Sequence, residues 1–167
     1  NFVLDNLIAE KKAERMIVVM PFGHAVPFGS PREVQAKNVD VYEQYLLQDV
    51  MPMMRSKYRI AGTRAKTAIA GLSMGGGQSL GIGMKHLDLF SAIGSFSAAV
   101  PQGLEKNIDA LKKANPLLWV GCGKDDSLFQ RSADLAEKLK AGGVNHTWRA
   151  TPGAHTYTVW RQYLAEF

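Results

Sequence analysis

The stretch Lys66-Thr67-Ala68-Ile69-Ala70-Gly71-Leu72-Ser73-Met74-Gly75-Gly76-Gly77-Gln78 joins a short apolar run to a glycine-rich segment around one serine. Residues 67–70 suit a β-strand, and the turn-like Ala61-Gly62-Thr63 precedes them. Met74 through Lys85 reads as a helix rich in small residues, although Gly75, Gly76, Gly77, Gly81 and Gly83 lower its intrinsic propensity. Small side chains at a helix start let it pack closely beneath a turn, which offsets that cost. A strand, a sharp turn and a helix would push Ser73 out at the end of a sheet. Glycines two residues to either side, Gly71 and Gly75, would let neighbouring backbone pass. The G-x-S-x-G pattern alone is weak, because glycine and serine are common, and a glycine-rich loop with an incidental serine is the competing explanation. The strand–turn–helix setting favours an exposed nucleophile.

Working outward, apolar runs alternate with helical patterns. Phe2 to Ala13 reads as a helix, and Met16-Ile17-Val18-Val19-Met20 as a buried-type strand ending at Pro21. Three prolines and two glycines make residues 21–37 a long loop. A helix is expected over about 39–57, a strand at 92–95, a helix over 104–114 and a strand at 117–120. Residues 127–141 read as a helix, 146–150 as a strand, and 157–166 as a closing helix. Strands alternating with helices predict an α/β fold, a mostly parallel sheet with helices on both faces. No repeat or linker is visible, so residues 1–167 read as a single domain. The chain opens on a helix with no strand feeding it, so it looks like the later part of a larger domain, with N-terminal strands missing.

Composition narrows the class. The 167 residues are 46% hydrophobic and 21% charged, with net charge +5, which suits one globular domain. No stretch approaches the ~20 apolar residues that span a bilayer, so no membrane partner is expected. Arg55, Lys57, Arg59, Arg64 and Lys66 gather near one helix end and turn, where cations complement the macrodipole. That cluster reads as structural, and no nucleic-acid partner is expected. The single cysteine, Cys122, cannot form an internal disulfide. Zinc-ligand spacing and Walker-type loops are absent, so no cofactor or metal is expected.

A serine nucleophile needs a base within hydrogen-bond reach and a carboxylate to orient that base. In an open α/β sheet, ligands bind outside the carboxyl ends of the strands, so the partners of Ser73 belong on loops that follow strands. Of the four histidines, His24 and His155 meet this condition. His86 sits at a helix end and His146 within or beside a strand. His155 is the better base, since it follows Ser73 in the chain order Ser, acid, His. Its competing role is a loop residue helping to cap the final helix. Leu117 to Val120 runs into Gly121-Cys122-Gly123-Lys124-Asp125-Asp126, which places two carboxylates at a strand's carboxyl end. One would orient the imidazole, while the other caps the helix near Ser127. Spacing alone leaves Asp125 and Asp126 both open.

With these residues in place, the chain resembles the esterase family of the α/β-hydrolase superfamily that includes feruloyl esterases, acetylxylan esterases and enterochelin-esterase-like proteins. The likeness runs through residues 16–21, then Ala70 to Gln78, then Gly121 to Leu128, then Gly153-Ala154-His155 followed by Val159-Trp160. It implies Ser73 as nucleophile, His155 as base and Asp126 as acid, with Asp125 the runner-up. It also implies that the Met74 N–H is one oxyanion donor, and that the second comes from a segment this chain lacks. An unfilled central strand position would leave unpaired backbone, so self-association or a second polypeptide would be needed to fill the missing strands.

The resemblance implies two-step acyl transfer without a cofactor, on feruloyl or acetyl esters of plant cell-wall xylan, by a secreted or periplasmic enzyme. Phe22 and His24, in the loop that also holds Phe28, are expected to line the substrate pocket, with Trp160 forming another wall; ordinary packing is the competing explanation for each. An acyltransferase of the same fold and an inactive fragment are the alternative functions.

Overall fold

The computed structural model describes residues 2–98, 100 and 103–167. They form two compact units, one of residues up to Arg15 together with Thr63–Phe167, the other Met16–Gly62.

The larger unit is built on a parallel sheet of four strands: β1 (Ala68–Leu72), β2 (Ala92–Phe96), β3 (Leu117–Gly123) and β4 (Thr147–Thr151). They lie side by side in chain order, with Ala70 opposite Gly94, Gly94 opposite Trp119, and Gly121 opposite Arg149. Parallel neighbours need crossover connections. Here these contain α5 (Met74–Lys85), α6 (Ile108–Ala114, after a 3-10 turn at Leu104–Asn107) and α7 (Phe129–Ala141). The helix α1 (Phe2–Ala9) lies against α8 (Tyr157–Glu166).

Side-chain alternation along β2 explains why both faces are buried. Ile93 packs against Gly83 of α5, and the Ser95 hydroxyl donates to the Gly76 carbonyl at 3.2 Å, so odd positions face α5. The even positions face α8: a Cβ on Gly94 would meet the ring of Phe167, and Phe96 clusters with Trp119, Val159, Trp160 and Tyr163. Phe96 meets Trp119 edge-on, with ring centroids 5.1 Å apart and planes at 84°, a favoured aromatic geometry. The expected mostly parallel, two-sided sheet is what the structure contains.

Arg64, one of the clustered cations, is occupied structurally. Its Nε donates to the Leu87 carbonyl at 2.6 Å and its Nη2 to the Ala114 carbonyl at 2.9 Å, tying together the ends of α5 and α6.

The smaller unit holds α2 (Arg32–Gln35), α3 (Asn38–Gln44) and α4 (Met51–Lys57), with a π turn at Tyr45–Val50 between the last two. Pro52 explains that turn. It lacks an N–H and its ring would crowd the carbonyl four residues back, which a widened turn relieves. The short helix α2 lies inside the segment expected to be loop throughout. A larger correction concerns 16–20. No strand forms there, and Met20 is 85% exposed and Val18 50%. A parallel strand exists only through bonds to a neighbouring strand, and the sheet consists of β1–β4 alone among the described residues. No helix in the described residues is long and apolar enough to cross a membrane.

Candidate active site

Ser73 follows the last residue of β1 and precedes α5, with φ 54° and ψ −120°. That conformation is disfavoured for a residue with a Cβ and stores of order 1–3 kcal/mol. Its N–H donates to the Phe96 carbonyl at 2.8 Å, and its carbonyl accepts the first helical bond from Gly77 at 3.1 Å. The turn is fixed on both sides, so the hydroxyl is the group left to present. Close packing beneath it depends on Gly71 and Gly76. A Cβ on Gly71 would fall 2.3 Å from the Gly75 carbonyl oxygen, and one on Gly76 2.9 Å from that of Phe96. Gly75 is different: a Cβ there meets nothing within 4 Å. The glycine needed downstream is therefore three residues after the serine rather than two.

The base arrives on the loop after β4. His155 Nε2 lies 2.8 Å from Ser73 Oγ, and its Nδ1 lies 2.7 Å from Asp126 Oδ2. A carboxylate only accepts, so Nδ1 carries a hydrogen and Nε2 of the neutral ring is bare. The Ser73 hydroxyl then donates to Nε2. A bare imidazole nitrogen aimed at a serine hydroxyl is a base in position to take its proton.

Asp126 has a fully buried side chain. Burial pushes its carboxyl up. Hydrogen bonds from the Leu128 N–H and His155, with the nearby Ser97 hydroxyl adding to them, outweigh that and hold it below the ordinary aspartate value. The Leu128 N–H reaches Oδ1 at 2.8 Å. Asp125 has other work. Its Oδ2 accepts from the Gly153 N–H and its own N–H donates to the Gly153 carbonyl, both at 3.0 Å. Lys124 N donates to the Thr151 carbonyl at 2.7 Å. The two loops can approach this closely because Gly123 and Gly153 face each other, where a Cβ on Gly123 would lie 2.1 Å from the Gly153 oxygen. Asp125 therefore ties the acid loop to the base loop, and Asp126 meets the histidine.

Met74 is the first residue of α5, where the amide dipoles sum to partial positive charge. Trp160 is buried, and its ring stands edge-on to His155 at 4.8 Å and 89°. Phe22 and His24 belong to the smaller unit. Their rings are 5.4 Å apart, and Phe28 stands edge-on to His24 at 5.6 Å. The Asn38 side chain organises that loop, accepting from Ala25 N at 2.7 Å and Val26 N at 3.2 Å while donating to the Gly23 carbonyl at 2.9 Å. The other two histidines are placed elsewhere: His86 follows the last residue of α5, and His146 Nδ1 lies 2.8 Å from the Val144 carbonyl. Sequence reasoning missed Ser97 and Asn38. Ser97 follows β2 directly, so the strand-end condition would have found it had it been applied beyond histidines and acids.

A half-buried serine, a histidine and a buried aspartate, joined by two hydrogen bonds, can perform acyl transfer. The Esterase family model matches residues 2–167. The chain belongs to the esterase family. This esterase-family chain is 27% identical over 164 residues to an acetyl esterase of Caldicellulosiruptor saccharolyticus, a match covering 75% of this chain and 62% of that one. It is 29% identical over 167 residues to an endo-1,4-beta-xylanase/feruloyl esterase of Xylanibacter ruminicola, covering 97% of this chain and 22% of that one. The chain thus spans less than two thirds of the length of either relative. A CE1 ferulic acid esterase from Anaeromyces mucronatus, solved with ferulic acid, matches it with a TM-score of 0.86 at 27% identity, over 97% of this chain and 67% of that one.

Proposed function

We propose that the chain is the catalytic part of a serine carboxylic-ester hydrolase. The observation that carries this reading is the unbroken line from Ser73 Oγ through His155 to Asp126, at 2.8 and 2.7 Å. Ser73 Oγ bonds to the ester carbonyl carbon as its proton passes to His155 Nε2, and negative charge develops on the carbonyl oxygen. The Met74 N–H at the start of α5 is one donor for that charge. The tetrahedral adduct collapses, the C–O bond to the alcohol breaks, and the imidazolium returns its proton to the leaving oxygen. Asp126 stabilises the imidazolium throughout. Water then repeats the sequence, releasing the acid and regenerating Ser73.

Feruloyl or acetyl groups on cell-wall xylan are the proposed substrates, since the relatives carry acetyl esterase and xylanase/feruloyl esterase names. A polymer of that kind is met outside the cytoplasm, so a secreted or periplasmic setting follows from the same reading. Ser73→Ala is expected to lower kcat on a feruloyl or acetyl ester by on the order of 10⁶ and to abolish labelling by a fluorophosphonate. Wild-type protein that neither labels nor turns over ester would overturn the reading. Acyl transfer to an added sugar acceptor that outpaces hydrolysis would replace the hydrolase by a transferase.

A further inference from the structure

Two hydrogen bonds hold the His155 ring, Nδ1 to Asp126 and Nε2 to Ser73. The second exists only while Ser73 carries a free hydroxyl. In the acyl-enzyme Ser73 Oγ is esterified and has no hydrogen to donate, so of the two ties only the Asp126 bond is left. Rotation of an imidazole about its last torsion is soft, with broad wells. By these bonds alone, the base would be loosest at the stage where it must take a proton from water.

Trp160 stands beside the ring and depends on neither of its nitrogens. The loop carrying His155 turns straight into α8, where the Trp160 N–H donates to the Thr156 carbonyl at 3.2 Å. The indole packs among Phe96, Trp119, Val159 and Tyr163, and it meets the His155 ring at 4.8 Å and 89°. Its own position is fixed by a hydrogen bond, since Trp160 Nε1 donates to Ser97 Oγ at 2.9 Å. Ser97 is fully buried directly after β2, and its N–H donates to the Gly121 carbonyl of β3 at 2.7 Å. The indole is thus tied to the sheet, by contacts that acylation of Ser73 does not touch. Tyr157, one turn away on α8, meets the indole at 5.1 Å and 81°.

We propose that Trp160 is a positioning residue for the base in the second half of the reaction, its sheet-anchored indole keeping the His155 ring in place once Ser73 is acylated. At that stage a water oxygen bonds to the acyl carbon as its proton passes to His155 Nε2. The C–O bond to Ser73 then breaks as that proton returns to Oγ. During acylation the Ser73 hydroxyl already orients Nε2, so the indole contributes less there. The effect of Trp160 is therefore unequal between the two half-reactions, which the ordinary packing of a core tryptophan would not produce. The proposal rests on the reading of Ser73, His155 and Asp126 as the reacting groups.

Burst kinetics on p-nitrophenyl acetate separate the half-reactions, since the burst of nitrophenol reports acylation and the steady state reports deacylation. Trp160→Leu removes the ring. It is expected to slow deacylation about 10-fold, the upper end for one aromatic pair, with acylation and kcat/KM within about twofold of wild type. Trp160→Phe keeps a smaller ring without the bond to Ser97, and should slow deacylation about 3-fold. All rates are measured well below the Tm of each variant. Deacylation at the wild-type rate would overturn the proposal, as would both steps slowed by the same factor. A fall confined to kcat/KM would also overturn it, marking a tryptophan that binds substrate instead. If the leucine variant fails to fold, the ratio of the two rates in the phenylalanine variant decides. Wild-type protein giving neither burst nor steady turnover would defeat the functional reading, and with it the proposal.

Discussion

Asp125 and Asp126 are adjacent in the chain and alike in chemistry, and the fold assigns them different tasks. Asp126 is buried against His155; Asp125 spans two loops through Gly153. Asp126→Asn should lower kcat by about 10⁴, because an amide beside Nδ1 favours the wrong tautomer. Asp125→Asn should leave kcat near wild type while costing about 1 kcal/mol of stability, the order of one hydrogen bond. Steady-state kinetics and thermal melts on the pair check both. An Asp125 variant with the larger loss of kcat would reverse the assignment. At this scale much was legible beforehand. The pentapeptide marked Ser73, and the strand-end condition together with the chain order Ser, acid, His selected His155; the structure places the two in hydrogen-bond contact. It could not separate the two aspartates, since which of them turns inward depends on loop contacts 28 residues away.

The strand–turn–helix element is where local sequence spoke most clearly, and its two flanking glycines are not equivalent. Gly71→Ala forces a methyl into the backbone of Gly75, which cannot move without breaking the turn, and should cost about 1–3 kcal/mol. Gly75→Ala puts the same methyl into open space within a helix, where alanine is favoured by about 1 kcal/mol. Chemical denaturation of the two variants should therefore shift in opposite directions, and equal losses would show that the turn is packed differently. The motif pattern treats both glycines as one signature, and only the distances tell them apart. Residues 16–20 teach the converse. Their composition is that of a strand, but strandedness is a property of a pair, and apolar side chains alone supply no hydrogen-bonding neighbour. The helix over 38–57 was likewise visible as a helix, while the π turn inside it came from one proline whose clash is with backbone.

For the molecule as a whole, acid is the expected route to unfolding. Burial raises the carboxyls of Asp126 and Glu166, but in each case hydrogen bonds win and the pKa falls below its ordinary value; for Glu166 the partners are Arg149 and Gln162. A carboxyl with a depressed native pKa binds fewer protons folded than unfolded, so its contribution is present above about pH 4 and is lost as the pH falls below it. Asp126→Asn should therefore flatten the decline of unfolding free energy below about pH 4, narrowing the gap to wild type as the solution becomes more acidic. Urea titrations at several pH values would show it, and parallel curves would count against a depressed Asp126.

The carboxyl ends of all four strands meet at the site: Ser73 follows β1, the Phe96 carbonyl at the end of β2 holds the Ser73 N–H, and Asp126 and His155 lie on the loops after β3 and β4. Turnover thus behaves as an AND gate across the sheet. A strand slipped by one residue turns its side chains to the opposite face and removes its input entirely, so no partly paired sheet should show a graded fraction of the rate. During refolding, activity would switch on only when the last of the four strands docks.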